Sequence, residues 1–105
     1  MKTIFRQCMA LLAGTLICSA CARADSGADF KTNCAPCHGA RGAGDSKLGQ
    51  NLHVRDLGSA EVQKRSDAEL TGIVTKGTGK MPAYGSKLTR EQIEELIKYI
   101  RSLKK

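Results

Sequence analysis

The chain has 105 residues, a formal net charge of +7, no tryptophan, two tyrosines and two phenylalanines. That length leaves room for one small domain and little apolar material for its core. The charge is spread without a basic run interleaved with aromatics, which excludes a nucleic-acid-binding signature.

The first two dozen residues read as a leader. Lys2 and Arg6 give a positive start, and Cys8 to Ala20 is apolar apart from Gly14, Thr15 and Ser19. Ala22-Arg23-Ala24 satisfies the small-x-small cleavage rule. The expectation is a signal peptide over residues 1–24, a cut before Asp25 and an exported domain over residues 25–105. The apolar stretch is short for a membrane span, although an uncleaved anchor is the bland alternative. Ser19-Ala20-Cys21 also suits a lipoprotein cut before Cys21, with Cys18 standing where such sites usually carry leucine. The leader holds Cys8, Cys18 and Cys21, so the exported part keeps only Cys34 and Cys37 and has no disulfide framework.

Asp25 to Cys37 predicts a short helix. Phe30 and Cys34 share one of its faces, and Pro36 sits where it should stop. It runs into Cys34-Ala35-Pro36-Cys37-His38, the Cys-x-x-Cys-His signature of covalent c-type haem attachment. Thiols about one helical turn apart reach the two vinyl groups on one edge of the porphyrin, and the next residue lies under the iron. A bare Cys-x-x-Cys also occurs as half a zinc site or as a redox dithiol. Zinc needs further ligands, and His53 is the one other histidine. A thioredoxin-type dithiol sits in a βαβ pattern, and the sequence has no strand-rich stretch.

Gly39 to Gly58 predicts a long loop. Its five glycines match neither phosphate-loop nor dinucleotide spacing. Close, tight wrapping of a flat ligand accounts for them better. Ser59 to Gln63 predicts one helical turn. Ser66 and Glu69 open a clearer helix with a capping box and an apolar stripe of Leu70, Ile73 and Val74, ended by Gly77 and Gly79. Lys80 to Gly85 is irregular. Thr89 and Gln92 cap the last helix, Leu88 and Ile93 can staple it, and Ile93, Leu96, Ile97, Ile100 and Leu103 line one face. Lys98, Arg101, Lys104 and Lys105 crowd its C-terminal end, which suits the macrodipole. The mature aromatics are Phe30, Tyr84 and Tyr99, too few for a rich core, and a buried haem would supply the missing apolar volume.

Six-coordinate haem iron needs a second axial ligand. Beyond the leader the chain offers Met81, its one methionine there, and His53. Met81 lies in a glycine-flanked irregular segment before Pro82, a poor place for a helix-core residue. His53 sits in the long loop between Leu52 and Val54, where a solvated residue is the plain reading.

Taken together, Cys34 to His38, Met81-Pro82 and the Thr89-capped helix with Leu96 and Tyr99 resemble a small monohaem class I c-type cytochrome of the bacterial, periplasmic kind, over essentially the whole of residues 25–105. The resemblance implies an all-α fold around one covalent haem c and a crossing of the first and last helices through Phe30, Leu96, Tyr99 and Ile100. It implies thioethers at Cys34 and Cys37 and iron between His38 and Met81. It also implies one-electron transfer rather than catalysis, with redox proteins, respiratory membrane complexes among them, as partners of a monomer that does not insert in the membrane. Lys76, Lys80 and Lys87 flank Met81 and form a candidate docking ring. A tethered lipoprotein subunit is one alternative; a haem enzyme or gas sensor with a displaceable Met81 is the other. One departure stands out. Many members carry a proline soon after the haem histidine, whose carbonyl accepts the ring proton, and Arg41 to Asn51 contains none.

Overall fold

The computed structural model describes residues 25–105, so the leader and the choice of cleavage site lie outside the described residues. Six helices follow in order: α1 (Ser26–Asn33), α2 (Ala35–His38), α3 (Lys47–Leu52), α4 (Ala60–Gln63), α5 (Asp67–Lys76) and α6 (Arg90–Ser102). No strand forms among the described residues; an isolated bridge pairs Thr78 with Met81. The all-α expectation holds. Among these residues no helix is long and apolar enough to cross a membrane.

Each helix start has a chemical reason. Asp25, Ser46, Ser59, Ser66 and Thr89 all place a side-chain oxygen on an amide three residues on. These bonds satisfy donors that the first helical turn leaves free. The Thr89–Gln92 box is complete, with both reciprocal bonds present. The box expected at Ser66 is half formed: Ser66 accepts from the Glu69 amide, while Glu69 makes no return bond.

Two expectations are corrected. Pro36 does not end the first helix. The chain breaks at Cys34, which closes α1 and opens α2, and Pro36 lies in the first turn of α2. A proline there lacks only an amide that would have had no partner. The long loop from Gly39 to Gly58 is also not all loop, because α3 lies inside it. Its short run offers only Leu48 and Leu52 as a helical pair and has a glycine between them, so pattern reading passes over it. Ser46 capping and a left-handed His53, at φ 55°, define its two ends.

The core gathers on α6. Ile93, Leu96, Ile97 and Ile100 are buried, as are Leu70 and Val74 of α5, Val62 of α4 and Phe30 of α1. The crossing of first and last helices is present: α1 and α6 are in contact, and Phe30 stacks at a tilt on Tyr99 with centroids 4.9 Å apart. Such a pair contributes about 0.5–1.5 kcal/mol beyond its buried area.

Polar cross-links tie the short helices to α6. Gln63 Nε2 donates to the carbonyls of Leu57 and Ile100, at 2.8 and 2.9 Å. The Arg101 guanidinium donates to the carbonyls of Gln63 and Arg65 and to Asp67 Oδ1. A planar fork with fixed donor directions serves three acceptors; a lysine ammonium at the same place cannot. Arg101→Lys should therefore destabilise the haem-loaded protein by about 1–3 kcal/mol, read from the denaturant midpoint at unchanged slope.

Candidate functional site

The apolar faces of α1, α4, α5 and α6 do not close on one another. They leave a cavity of about 590 Å³, within the usual range for a cofactor site. Buried Phe30, Val62, Leu70, Val74 and Ile100 serve both as core and as its wall. Cys34, Cys37 and His38 line the cavity, and so do Met81 and His53.

The motif is presented by a folded-back turn. The Cys37 and His38 amides both donate to the Cys34 carbonyl. Ser46 Oγ donates to the Cys37 carbonyl at 2.8 Å, and the Gly44 amide donates to the His38 carbonyl at 2.7 Å. The loop and α3 are thus fastened to α2 by its own free carbonyls. Gly49 lies against the Cys37 carbonyl oxygen, and any Cβ there would collide with it.

Cys34 and Cys37 are unpaired thiols. Burial first, then the charges of Asp29 and Cys37, push the Cys34 thiol up to about 11, which favours the neutral thiol. Burial lowers the His38 pKa, which favours the neutral imidazole that a metal ligand requires. His38 Nδ1 is buried and has no hydrogen-bond partner among the described residues. The missing proline therefore has no substitute there, although ligating histidines ordinarily donate this proton to an acceptor.

Met81 reaches the cavity on a tight turn. Thr78 and Met81 exchange two backbone hydrogen bonds, at 2.8 and 3.1 Å. Gly77, at φ 72°, ends α5 and lets the turn fold back; a Cβ there would lie 2.6 Å from the Met81 carbonyl oxygen. The following amides of Tyr84 and Gly85 bond to the carbonyls of Val74 and Thr75, and Tyr84 Oη donates to the Asn33 carbonyl at 2.9 Å. Met81 is half-buried and packs against the core. His53 is solvent-exposed at the end of α3. Sequence reading placed the motif residues and Met81. It missed Gly49, Tyr84 Oη and the cations Arg55 and Arg65 on the cavity wall, whose local sequence resembles any solvated stretch.

The residues present fit a covalently held haem: two free thiols and an imidazole with a buried, orphaned ring nitrogen, beside an apolar hollow that runs into the core. Gly49→Ala should disturb this seat by driving α3 off α2, and should cost about 1–3 kcal/mol. Gly72→Ala, in α5 with nothing near its Cβ position, should be neutral or stabilise by up to about 1 kcal/mol. Denaturant titrations of the two haem-loaded variants test the contrast.

Comparison with known proteins agrees. Residues 22–100 match the family described as cytochrome c oxidase, cbb3-type, subunit III. Cytochrome c6 of Microcystis aeruginosa is 36% identical over 76 residues, which cover 72% of this chain and 90% of that protein. The cbb3-type cytochrome c oxidase subunit FixP of Azorhizobium caulinodans is 36% identical over 87 residues, and the match spans only 29% of FixP. The solved structure of the KustC0563 c-type cytochrome superposes with a TM-score of 0.72 at 32% identity, covering 78% of this chain and all of that one. The chain belongs to the c-type cytochromes, as a small class I domain whose cofactor is a covalently bound haem c.

Proposed function

We propose that this protein is a periplasmic electron carrier, exported behind residues 1–24, in which Cys34 and Cys37 hold the haem and His38 and Met81 are its axial ligands. The bound haem supplies a one-electron Fe(III)/Fe(II) couple. One observation carries the ligand assignment: a single cavity is lined by the motif cysteines, by His38 and by the half-buried Met81. His53 also borders the cavity, but it is exposed and sits in left-handed backbone at a helix end.

The chain's own residues set the properties of the carrier. A methionine thioether favours Fe(II) and raises the potential relative to bis-histidine ligation. His38 and Met81 would together hold the iron and leave no position for substrate, which suits an electron carrier rather than a catalyst. The hydrogen-bonded turn at Thr78–Met81 and the Tyr84–Asn33 bond would hold Met81 in place beside a bound haem.

Partners are redox proteins. Lys76, Lys80 and Lys87 are exposed and have no carboxylate partner among the described ion pairs. They flank the Met81 turn in sequence, and Lys87 lies 5.5 Å from the centre of the Tyr84 ring. Such a set suits an acidic docking face. A second reading, a cytochrome module tethered to an oxidase complex, draws on the likeness to part of FixP and on Ser19-Ala20-Cys21. The N-terminal mass of the exported protein distinguishes the two: a free Asp25 start supports the soluble carrier, and a lipidated Cys21 the tethered module.

Met81→Ala should lose the weak sulfur-to-iron charge-transfer band of the oxidised protein, lower the reduction potential and let the reduced protein bind carbon monoxide; His53→Ala should change none of these. Abolition of low-spin ligation by His53→Ala, with Met81→Ala intact, would overturn the assignment. Cys34→Ala with Cys37→Ala should leave a chain without covalent haem and with little cooperative melting by circular dichroism. Electron-transfer rates with an acidic partner should fall as ionic strength rises from about 0.01 to 0.15 M, because screening shortens the reach of the lysines.

A further inference from the structure

We propose that Asp29 sets the reduction potential, as a carboxylate behind the cavity wall that stabilises the ferric haem through space. The inference rests on the reading that haem c fills this cavity and is joined to Cys34 and Cys37.

Asp29 lies in α1, next to the buried Phe30. Its Oδ2 is buried and has no hydrogen-bond partner among the described residues. No cation pairs with it among the described ion pairs. Lys31, the basic residue of the same helix, is two positions on, a spacing that does not bring side chains together. A buried carboxylate oxygen without donor or cation opposes folding. The cost is reduced because Asp29 stands in the first turn of α1, where the helix dipole favours negative charge.

The helix aims this charge at the haem site. Asp29 and Asn33 are four apart and share a face, roughly 6 Å from each other along the axis. Asn33 lines the cavity, its Nδ2 donates to the Asp29 carbonyl at 3.1 Å, and its own carbonyl accepts from Tyr84 Oη. Cys34 follows Asn33. After burial, the Asp29 charge is the next cause that pushes the Cys34 thiol up. Asp29 itself does not border the cavity. Its carboxylate thus stands one helical turn behind the wall, within electrostatic reach of a sulfur that joins the porphyrin edge.

Ferric haem carries one more positive charge than ferrous haem. A carboxylate partly removed from water attracts that charge with little screening. Asp29 therefore favours Fe(III), while the Met81 thioether favours Fe(II). The potential is the balance between a ligand that raises it and a carboxylate that lowers it.

Potentiometric titration of the haem-loaded full chain at neutral pH tests the assignment. Asp29→Asn should raise the potential. At the ambient potential that half-reduces the unmutated protein, its Fe(II)/Fe(III) ratio should be about three- to tenfold higher. Asp29→Leu differs from asparagine in shape and polarity but shares the loss of charge, so it should shift the same way. Asp29→Glu keeps the charge and should shift the ratio by less than either. Surface charges are screened by salt, whereas the Asp29→Asn shift should persist at about 0.5 M ionic strength. Glu69→Gln, which removes an exposed acid in the first turn of α5, is the control for general charge. The sulfur-to-iron charge-transfer band should survive in the oxidised form of every variant, which separates a changed charge balance from loss of Met81. An Asp29→Asn ratio equal to that of Glu69→Gln overturns the proposal. So does a shift that salt abolishes, or opposite shifts from the asparagine and leucine variants. The ligand reading fails on a different observable, the charge-transfer band of the unmutated protein.

Discussion

The contact between α1 and α6 joins the two ends of the domain, and the rest of the structure depends on it. Phe30 stacked on Tyr99 fixes where α1 ends. The cysteine motif begins one residue later, so its place in space is inherited from that contact. On the other helix, Ile100 faces the cavity while the next residue, Arg101, reaches out to the turn between α4 and α5. One helix crossing therefore sets the attachment edge of the site and part of its wall.

That arrangement leaves a core with one side missing. The buried residues of α4, α5 and α6 form a single apolar cluster, with Leu57, Met81, Tyr84 and Leu88 partly buried against it. Much of this cluster also faces the cavity. In a chain this small the apolar area available for a self-contained core is scarce. A large flat apolar cofactor on that open face would complete the core and so couple folding to its covalent attachment. Cofactor and core are then one problem, and mutations in the wall act on both.

The polar fastenings have a consistent logic. Wherever the chain leaves a helix end near the site, a free carbonyl is taken by a donor from another segment: Cys37 by Ser46, Asn33 by Tyr84, Val74 and Thr75 by the amides after Pro82. These bonds hold irregular segments that would otherwise sample many conformations, and the ordering is what a redox site needs if its ligands are to stay put as iron changes charge. His38 Nδ1 and Asp29 Oδ2 are exceptions, buried polar atoms without a partner among the described residues. The basic side chains around Met81 have no carboxylate partner among the described ion pairs, Lys87 lying over the Tyr84 ring, and so keep their charge available to another molecule.

The residue order alone determined the chemistry. Cys34, Cys37 and His38 are contiguous, and their meaning depends on local spacing that any helical turn preserves. The caps at Ser59, Ser66 and Thr89 and the apolar stripe of α6 are equally local, being set by interactions within four residues. What only the tertiary structure decided are relations between distant segments. Pro36 begins a turn instead of ending one because the break at Cys34 comes earlier. Gly39 to Gly58 contains α3 because Ser46 finds both the Gly49 amide and the Cys37 carbonyl. Arg65 differs from its neighbour Lys64 only because Arg101, some thirty-six positions along the chain, holds its carbonyl and leaves its side chain beside an apolar hollow. Local order carries the identity of a binding group; its exposure, its partners and the charge it faces arise from packing, which no short stretch of sequence contains.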